Sequence, residues 1–493
     1  MSQNNLKQKA ASGMVWTAFQ KYSKMGIQFV SGIILARLLT PFDYGCIGML
    51  AIFMVMAEVF IDGGFGSALI QKKLPTQVDY STIFWWNVGM AFVMYIILFF
   101  SAPAISRFYD IPLLCDVLRV QGLVLFIYAL NIIQRNQLKK KLNFKLLSIV
   151  SVTTSLIALS VTIVMAYKGF GVWALVVQNL IVAAIPSLVF WFYVKWRPIM
   201  TFSWKSFKEL FSFGFYMFLT HIVNDFAGQI QGLLIGKMYS PSTMGYYSKA
   251  HGTEKLASKS ISSIMTQVTY PLYAETQDDR AAMINMIKRL ATTVAYITFP
   301  LMFILLLVAK PLFIILYSDR WVQSIPYFQV LCIAGLAQCM QSVNLQTIAA
   351  IGKSKVMLIW VIVKRAVGLT AILGGLFMYG MKGLLCGVVF NSWFSYFVNI
   401  GLVDKHIGYK WTTQLKHLLP MFIMSSLAAL TAFGIGFLLQ LNMYWDGLVK
   451  LLVVVVIYFG WSLIFKPDSY QYVLTIVQPF FNRIKQRSKR NFQ

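Results

Sequence analysis

Long blocks of apolar residues leave this chain few folds to choose from. Residues 88–100, 156–166, 298–309 and 447–465 are nearly unbroken hydrocarbon. A run of about 20 mostly apolar residues crosses a bilayer as a helix. In lipid the backbone must satisfy its own hydrogen bonds, so only helices and closed barrels span. The blocks lack the period-two alternation of barrel strands, and helices are the expected solution. Charged residues make up 12% of the 493, against roughly 25% in a soluble domain. That share cannot coat a water-facing surface of this size. The fold class is therefore an all-α polytopic membrane protein of about 14 transmembrane helices.

The basic residues sort by connection. Lys72 and Lys73, then Arg135, Lys139, Lys140, Lys141 and Lys145, then Lys195, Arg197, Lys205 and Lys208, fall in alternate loops. The intervening connections carry mostly single charges such as Arg107, Lys168, Lys310 and Lys382. By the positive-inside rule both termini are cytoplasmic and the span count is even. The net charge of +27 is thus a topology signal and not a nucleic-acid signal. The polar start MSQNNLKQKAA has no apolar core or cleavage site, so the first span acts as the insertion signal. Five cysteines without a CxxC pair argue against disulfides and zinc. The basic tail 466–493 either lies on the inner leaflet or is a disordered topology anchor.

The chain repeats itself. LARLLTPFDYG (35–45) aligns with IGKMYSPSTMG (235–245), which pairs Arg37 with Lys237, Thr40 with Ser240, Pro41 with Pro241 and Gly45 with Gly245. Further on, KGFGVWALVVQN (168–179) aligns with GMKGLLCGVVFN (380–391), pairing Asn179 with Asn391. Two matches in the same order make coincidence improbable. An even number of spans between the copies makes them parallel, as in transporters whose halves rock around a shared site. The expected organisation is two six-helix lobes, 1–200 and 201–405, around a central cavity. Two additional spans, 406–465, and the tail 466–493 follow.

Ionisable residues inside spans cost about 2.5–3.5 kcal/mol on insertion scales, which marks each as a functional candidate. The first span carries Thr17, Lys21, Lys24, Gln28 and Ser31 at spacings of four, three, four and three, one helical face. The seventh offers His221, Asn224 and Gln231 at the equivalent positions. The eighth aligns His251, Lys255, Lys259, Ser262 and Thr266 on one face, and the eleventh carries Lys364 and Arg365. These line a basic cavity, and a basic cavity of low dielectric attracts anions. Glu58, Asp62, Asp225 and Glu254 are the acidic residues available either for ion pairing or for coupling to an ion. Arg37, Lys237 and Lys249, near span ends, are expected to pair internally or to snorkel. GKSK (352–355) lacks the first glycine of a phosphate loop, because Thr347 stands there. The His221–Asp225 pair has no third metal ligand, and no outer loop pairs carboxylates for glycosyl transfer. The expectation is a transporter without metal or cofactor, not an enzyme.

ARLLTPFDYGCIGM, DGGFGSALIQKK (62–73) and QRNQLKKKLNFK (134–145) together resemble polysaccharide flippases of the Wzx type. The likeness is greatest to the colanic-acid and teichuronic-acid exporter subgroup of the multidrug/oligosaccharidyl-lipid/polysaccharide exporter superfamily. The resemblance implies alternating access in a bacterial cytoplasmic (inner) membrane. The implied substrate is an undecaprenyl-pyrophosphate-linked oligosaccharide, with the polysaccharide polymerase and export machinery as partners besides membrane lipids. Lys21, Lys24, Lys255 and Lys259 would then hold the pyrophosphate. A drug or cation antiporter of the same superfamily would need an acidic cavity, and a lipid II flippase is the chemically adjacent alternative.

Overall fold

The computed structural model describes residues 3–275, 279–351, 353–475 and 478. The side chains of Lys7, Lys9, Thr266 and Lys355 lie outside the described set, as does nearly all of the basic tail beyond residue 475. Among the described residues every regular element is a helix. Ten helical segments are long and apolar enough to cross a membrane.

The chain folds as two compact units, Met1–Ser248 and Lys249–Gln493. The first holds α1 (Gln3–Leu38), α2 (Pro41–Asp62), α3 (Phe65–Gln71), α4 (Gln77–Tyr109), α5 (Leu113–Gln121), α6 (Leu123–Lys140), α7 (Phe144–Tyr167), α8 (Val172–Tyr193) and α9 (Trp204–Met238). α10 (Pro241–Glu275) begins in this unit and continues into the second. Helix starts follow local chemistry. Thr40 accepts from the Asp43 amide while the Asp43 carboxylate accepts from the Thr40 amide, and Thr76 and Asp79 repeat the arrangement at α4. Proline at the first position of α2 has no amide to strand there.

Aromatic packing joins α9 to the α3–α4 end of the unit. Phe65, Phe84 and Phe207 share one buried cluster, and the Phe207 and Phe211 rings stack at 5.6 Å. The connection before α9 is fastened to α4. Ser81 and Thr82 accept from the Ile199 and Ser203 amides, and the Trp85 indole donates to the Ile199 carbonyl. Several basic residues expected only to orient the chain also close helix ends. The Lys140 ammonium donates to the carbonyls of Leu69, Ile70 and Lys72, the otherwise unsatisfied C-terminus of α3. Lys72 in turn lies 3.1 Å from Asp79 and 3.0 Å from Glu209. Burial works against the Lys72 charge, but these hydrogen bonds outweigh it and raise its pKa above the usual lysine value.

The second unit completes α10 and adds α11 (Arg280–Leu307), α12 (Ala309–Tyr317), α13 (Ser324–Ala350), α14 (Ser354–Ile407), α15 (Trp411–Leu439) and α16 (Met443–Phe465). α14 is continuous in hydrogen bonding but reverses at Gly380, where φ is 61° and ψ −142°. Its two legs are antiparallel and touch at glycine: a Cβ on Gly375 would lie 2.2 Å from the Gly383 carbonyl oxygen. The reversal falls between the expected eleventh and twelfth spans. α15 and α16 pack on α11 through Ala428, Ala432 and Val454 against Ile304 and Leu307. Tyr296 ties α11 to α16 by a 2.7 Å hydrogen bond with Ser462.

Candidate functional site

α1 is not among the ten apolar segments, because its polar stripe lowers its hydropathy below theirs. Of that stripe Ser31 is buried and Lys24 turns into the first unit, while Thr17 and Gln28 are exposed. A cavity of ≈ 440 Å³ opens there between α1, α2, α6, α7 and α8, with Gln121 of α5 at its edge. Lys24 and Gln20 reach it from α1, Glu58 from α2, Arg135 and Asn131 from α6, and Asn179 from α8. The wall therefore carries two cations and one carboxylate, set among carboxamides and hydroxyls inside an otherwise apolar bundle. Gln121 is 6% exposed and Thr154 2%. The residues line the cavity, but Gln121 Oε1 and Thr154 Oγ1 are themselves buried and have no hydrogen-bond partner among the described residues.

The other expected site residues of this unit lie elsewhere. Lys21 is half-buried and Gln28 exposed. Asp62 sits one turn beyond Glu58, with its carboxylate beside the Gly64 and Gly66 amides at the start of α3. This explains the DGGFG segment. A Cβ on Gly66 would lie 2.8 Å from Asp62 Oδ1, and Gly64, at φ +76°, would place one 2.1 Å from the Gly214 carbonyl oxygen. On α9, His221 Nδ1 and Asp225 Oδ2 are 3.9 Å apart, Asn224 donates to the Thr220 carbonyl, and Gln231 accepts from the Tyr247 hydroxyl.

The second unit holds the remaining group. Lys255 and Lys259 are exposed one turn apart on α10, and Lys255 lies within electrostatic range of Lys259 and Arg365. His251 is half-buried one turn before Lys255. Lys364 faces inward, 8% exposed, and donates to Asn399 Oδ1 at 2.7 Å across the α14 hairpin. Glu254 is 2% exposed, and its Oε1 has no partner among the described residues. Room for it comes from Gly335 of α13, whose added Cβ would lie 2.6 Å from that oxygen. Lys249 packs over the Tyr317 ring at 4.1 Å and near Trp321 at 5.5 Å, an internal pairing and not a snorkel. Lys237 is likewise engaged, by the Phe108 carbonyl at 2.6 Å.

Sequence reasoning overlooked Arg135, Gln121 and Asn131. Arg135 had been grouped with the loop charges that follow it. The signal was present: Gln121, Val124, Tyr128, Asn131 and Arg135 recur at three, four, three and four, the spacing that revealed the α1 stripe.

Known proteins share this architecture. The chain is 24% identical to the teichuronic acid biosynthesis protein TuaB of Bacillus subtilis (strain 168), over 72% of this chain and 74% of that one. It is 22% identical to the lipopolysaccharide biosynthesis protein WzxC of Escherichia coli (strain K12), over 88% and 89%. The succinoglycan biosynthesis transport protein ExoT of Rhizobium meliloti (strain 1021) is 24% identical, over 72% of each. Among solved structures, the lipid II flippase MurJ in an inward closed conformation superposes with a TM-score of 0.71 at 15% identity, covering 92% of this chain and 99% of that one. The model of a family of polysaccharide biosynthesis proteins matches residues 34–326, well over half of the sequence, from the end of α1 into α13. With its striped α1, its repeated proline–glycine hairpins and this match, the chain belongs to that polysaccharide biosynthesis protein family.

Proposed function

We propose that this protein flips undecaprenyl-pyrophosphate-linked oligosaccharide repeat units across the bacterial cytoplasmic membrane, for polysaccharide export, by alternating access. The reading takes α1, α9 and α10 as spans whose polar stripes face protein or water, and the two legs of α14 as separate spans. Both termini are then cytoplasmic, and the work is transport, not catalysis. The observation that carries it is a cavity lined by Lys24 and Arg135, with Glu58, within a bundle otherwise built for lipid. Fixed cations in low dielectric hold an anionic headgroup far more strongly than water does. Lys21 in the first unit, and Lys255 and Lys259 in the second, are further candidate cations for the headgroup, and Glu58, Asp62, Asp225 and Glu254 are the candidates for ion coupling.

The test is export by a strain carrying Lys24→Ala or Lys255→Ala in place of the natural protein. Each variant should insert at normal abundance, stop export and leave the lipid-linked oligosaccharide in the inner leaflet. Lys→Arg at either position should be milder, since the charge is kept. Full export by both alanine variants would refute the reading.

A further inference from the structure

Residues 194–203, between α8 and α9, form no helix, yet they are held in place. Ser81 and Thr82 of α4 accept the Ile199 and Ser203 amides at 3.1 Å each, and Gln77 donates to the Arg197 carbonyl at 2.6 Å. Arg197 turns back on its own chain and donates to the carbonyls of Trp191, Val194 and Trp196. The start of α9 is joined to the residue that follows α3 by the Lys72–Glu209 pair. A connection fastened at so many points presents its side chains in a fixed arrangement.

That arrangement is apolar and basic together. Met200 is 88% exposed and Trp204 66%, and Leu74, in the neighbouring connection between α3 and α4, is 85% exposed. Side chains of this size are unfavourable in water. Lys73, Lys195, Lys205 and Lys208 stand exposed among them. The carboxylates of these segments, Asp79 and Glu209, are both taken by Lys72, and none of the four lysines forms an ion pair among the described residues. Bulk water suits the lysines and not the apolar groups, and hydrocarbon suits the reverse. The boundary between headgroups and acyl chains accepts both. Leu74 lies just before α4 and Met200 just after α8, two helices long and apolar enough to span, so this face stands at that boundary.

We infer that this face is an interfacial site for anionic phospholipid, with Leu74, Met200 and Trp204 among the upper acyl segments and Lys73, Lys195, Lys205 and Lys208 toward the headgroups. A lysine held near an anionic leaflet favours it by up to about fivefold. The four therefore select negatively charged lipid over zwitterionic lipid, which apolar contact alone would not do. The connection links the two copies of the internal repeat, so the lipid holds the chain at the joint between them. The inference concerns lipid around the protein, not lipid moved by it, and is independent of the flippase reading.

The experiment places the purified full chain in nanodiscs of phosphatidylcholine mixed with phosphatidylglycerol. An environment-sensitive fluorophore is attached at Met200→Cys, in a chain that also carries Cys115→Ser and Cys386→Ser, the two cysteines that are not buried. Its quenching is compared for chain-brominated phosphatidylglycerol and, at the same mole fraction, chain-brominated phosphatidylcholine. Both should quench, because the label lies in the bilayer. The anionic lipid should be preferred about fivefold or more. Combining Lys73→Gln, Lys195→Gln, Lys205→Gln and Lys208→Gln should make the two lipids equal while the label stays in the bilayer. Each single variant should lose part of the preference, which keeps the result readable if the combined variant does not fold. High salt should weaken the preference of the parent. Equal quenching by both lipids in the parent, quenching by neither, or a preference that survives in the lysine variants would overturn the site. Export is not measured, so none of these outcomes bears on the flippase reading.

Discussion

Gly45 and Gly245 are each pressed against the other's helix start. A Cβ on Gly45 would lie 1.8 Å from the carbonyl oxygen of Pro241, and one on Gly245 would lie 1.8 Å from that of Pro41. The two positions are related by the internal repeat, and the contact is reciprocal. α1 and α9 end at Leu38 and Met238, and α2 and α10 begin at Pro41 and Pro241, so the hairpins coincide at the same offset. Close backbone approach through small residues is how helices associate where lipid removes the hydrophobic drive between them.

Gly45→Ala and Gly245→Ala should therefore do equal harm. The obstacle is backbone, which cannot rotate away, and overpacking of this kind costs about 1–3 kcal/mol. Gly48→Ala is the control. Its nearest atoms are the ends of the Met244 and Ser248 side chains, at 2.8 and 2.9 Å, which can move. Thermal unfolding in detergent should show matched losses for the first two and a smaller one for the third. Unequal losses at Gly45 and Gly245 would contradict the reciprocal packing.

Asp62 is a candidate for ion coupling, and its carboxylate also lies against the DGGFG turn, beside the amides of Gly64 and Gly66. If that turn is what Asp62 serves, Asp62→Asn should lower the folded yield. Transport per folded molecule should be kept. Glu58→Gln should do the reverse, because Glu58 lines the cavity. Quantifying export against membrane abundance for both variants separates the roles, and an Asp62→Asn protein that folds fully but does not transport would reject this one.

The limits of sequence reasoning follow the same physics. The spans and the repeat were legible because lipid forces apolar blocks and because copies keep their Pro41/Pro241 and Gly45/Gly245 punctuation. The α1 stripe was legible because a lysine pair at Lys21 and Lys24 is conspicuous in an apolar helix. Arg135 was not, since it precedes Lys139, Lys140 and Lys141 and was absorbed into a topology signal. Gln121 and Thr154 escaped for another reason. Neutral polar residues are common in helices, and only packing distinguishes Thr154 from Thr162, whose hydroxyl donates 2.6 Å to the Ala158 carbonyl. Nor does linear sequence reveal that Lys140 caps a helix Leu69 belongs to, because that pairing depends on how α3 folds back.

Lys140 and Glu209 make a useful contrast. Lys140→Met strands three carbonyls at the end of α3, whereas Glu209→Gln breaks only the pair with Lys72, in which Glu209 is 57% exposed. Exposed ion pairs contribute about 0–1 kcal/mol, so Glu209→Gln should barely move the unfolding temperature. Lys140→Met should lower it clearly. Adding salt should erode only the Glu209 contribution, and an equal response of the two variants would show the cap to be unimportant.

Lys364, a candidate cation of the substrate cavity, is 8% exposed and bonded to Asn399 across the α14 hairpin. The arrangement reads as a polar strut between the two legs that meet at Gly375 and Gly383. Removing one partner leaves the other buried and unpaired, whereas removing both restores an apolar seam. Lys364→Met and Asn399→Leu should each destabilise the protein, and the double variant should recover much of the loss. A double-mutant cycle on thermal stability measures the coupling, expected at about 0.5–3 kcal/mol for residues in contact. Export by the double variant is the deciding readout. If Lys364 is a strut, that protein transports, because the hairpin is intact and no cation of the cavity has been lost. If it folds well and fails to transport, the Lys364 charge is needed for transport itself and the strut reading falls.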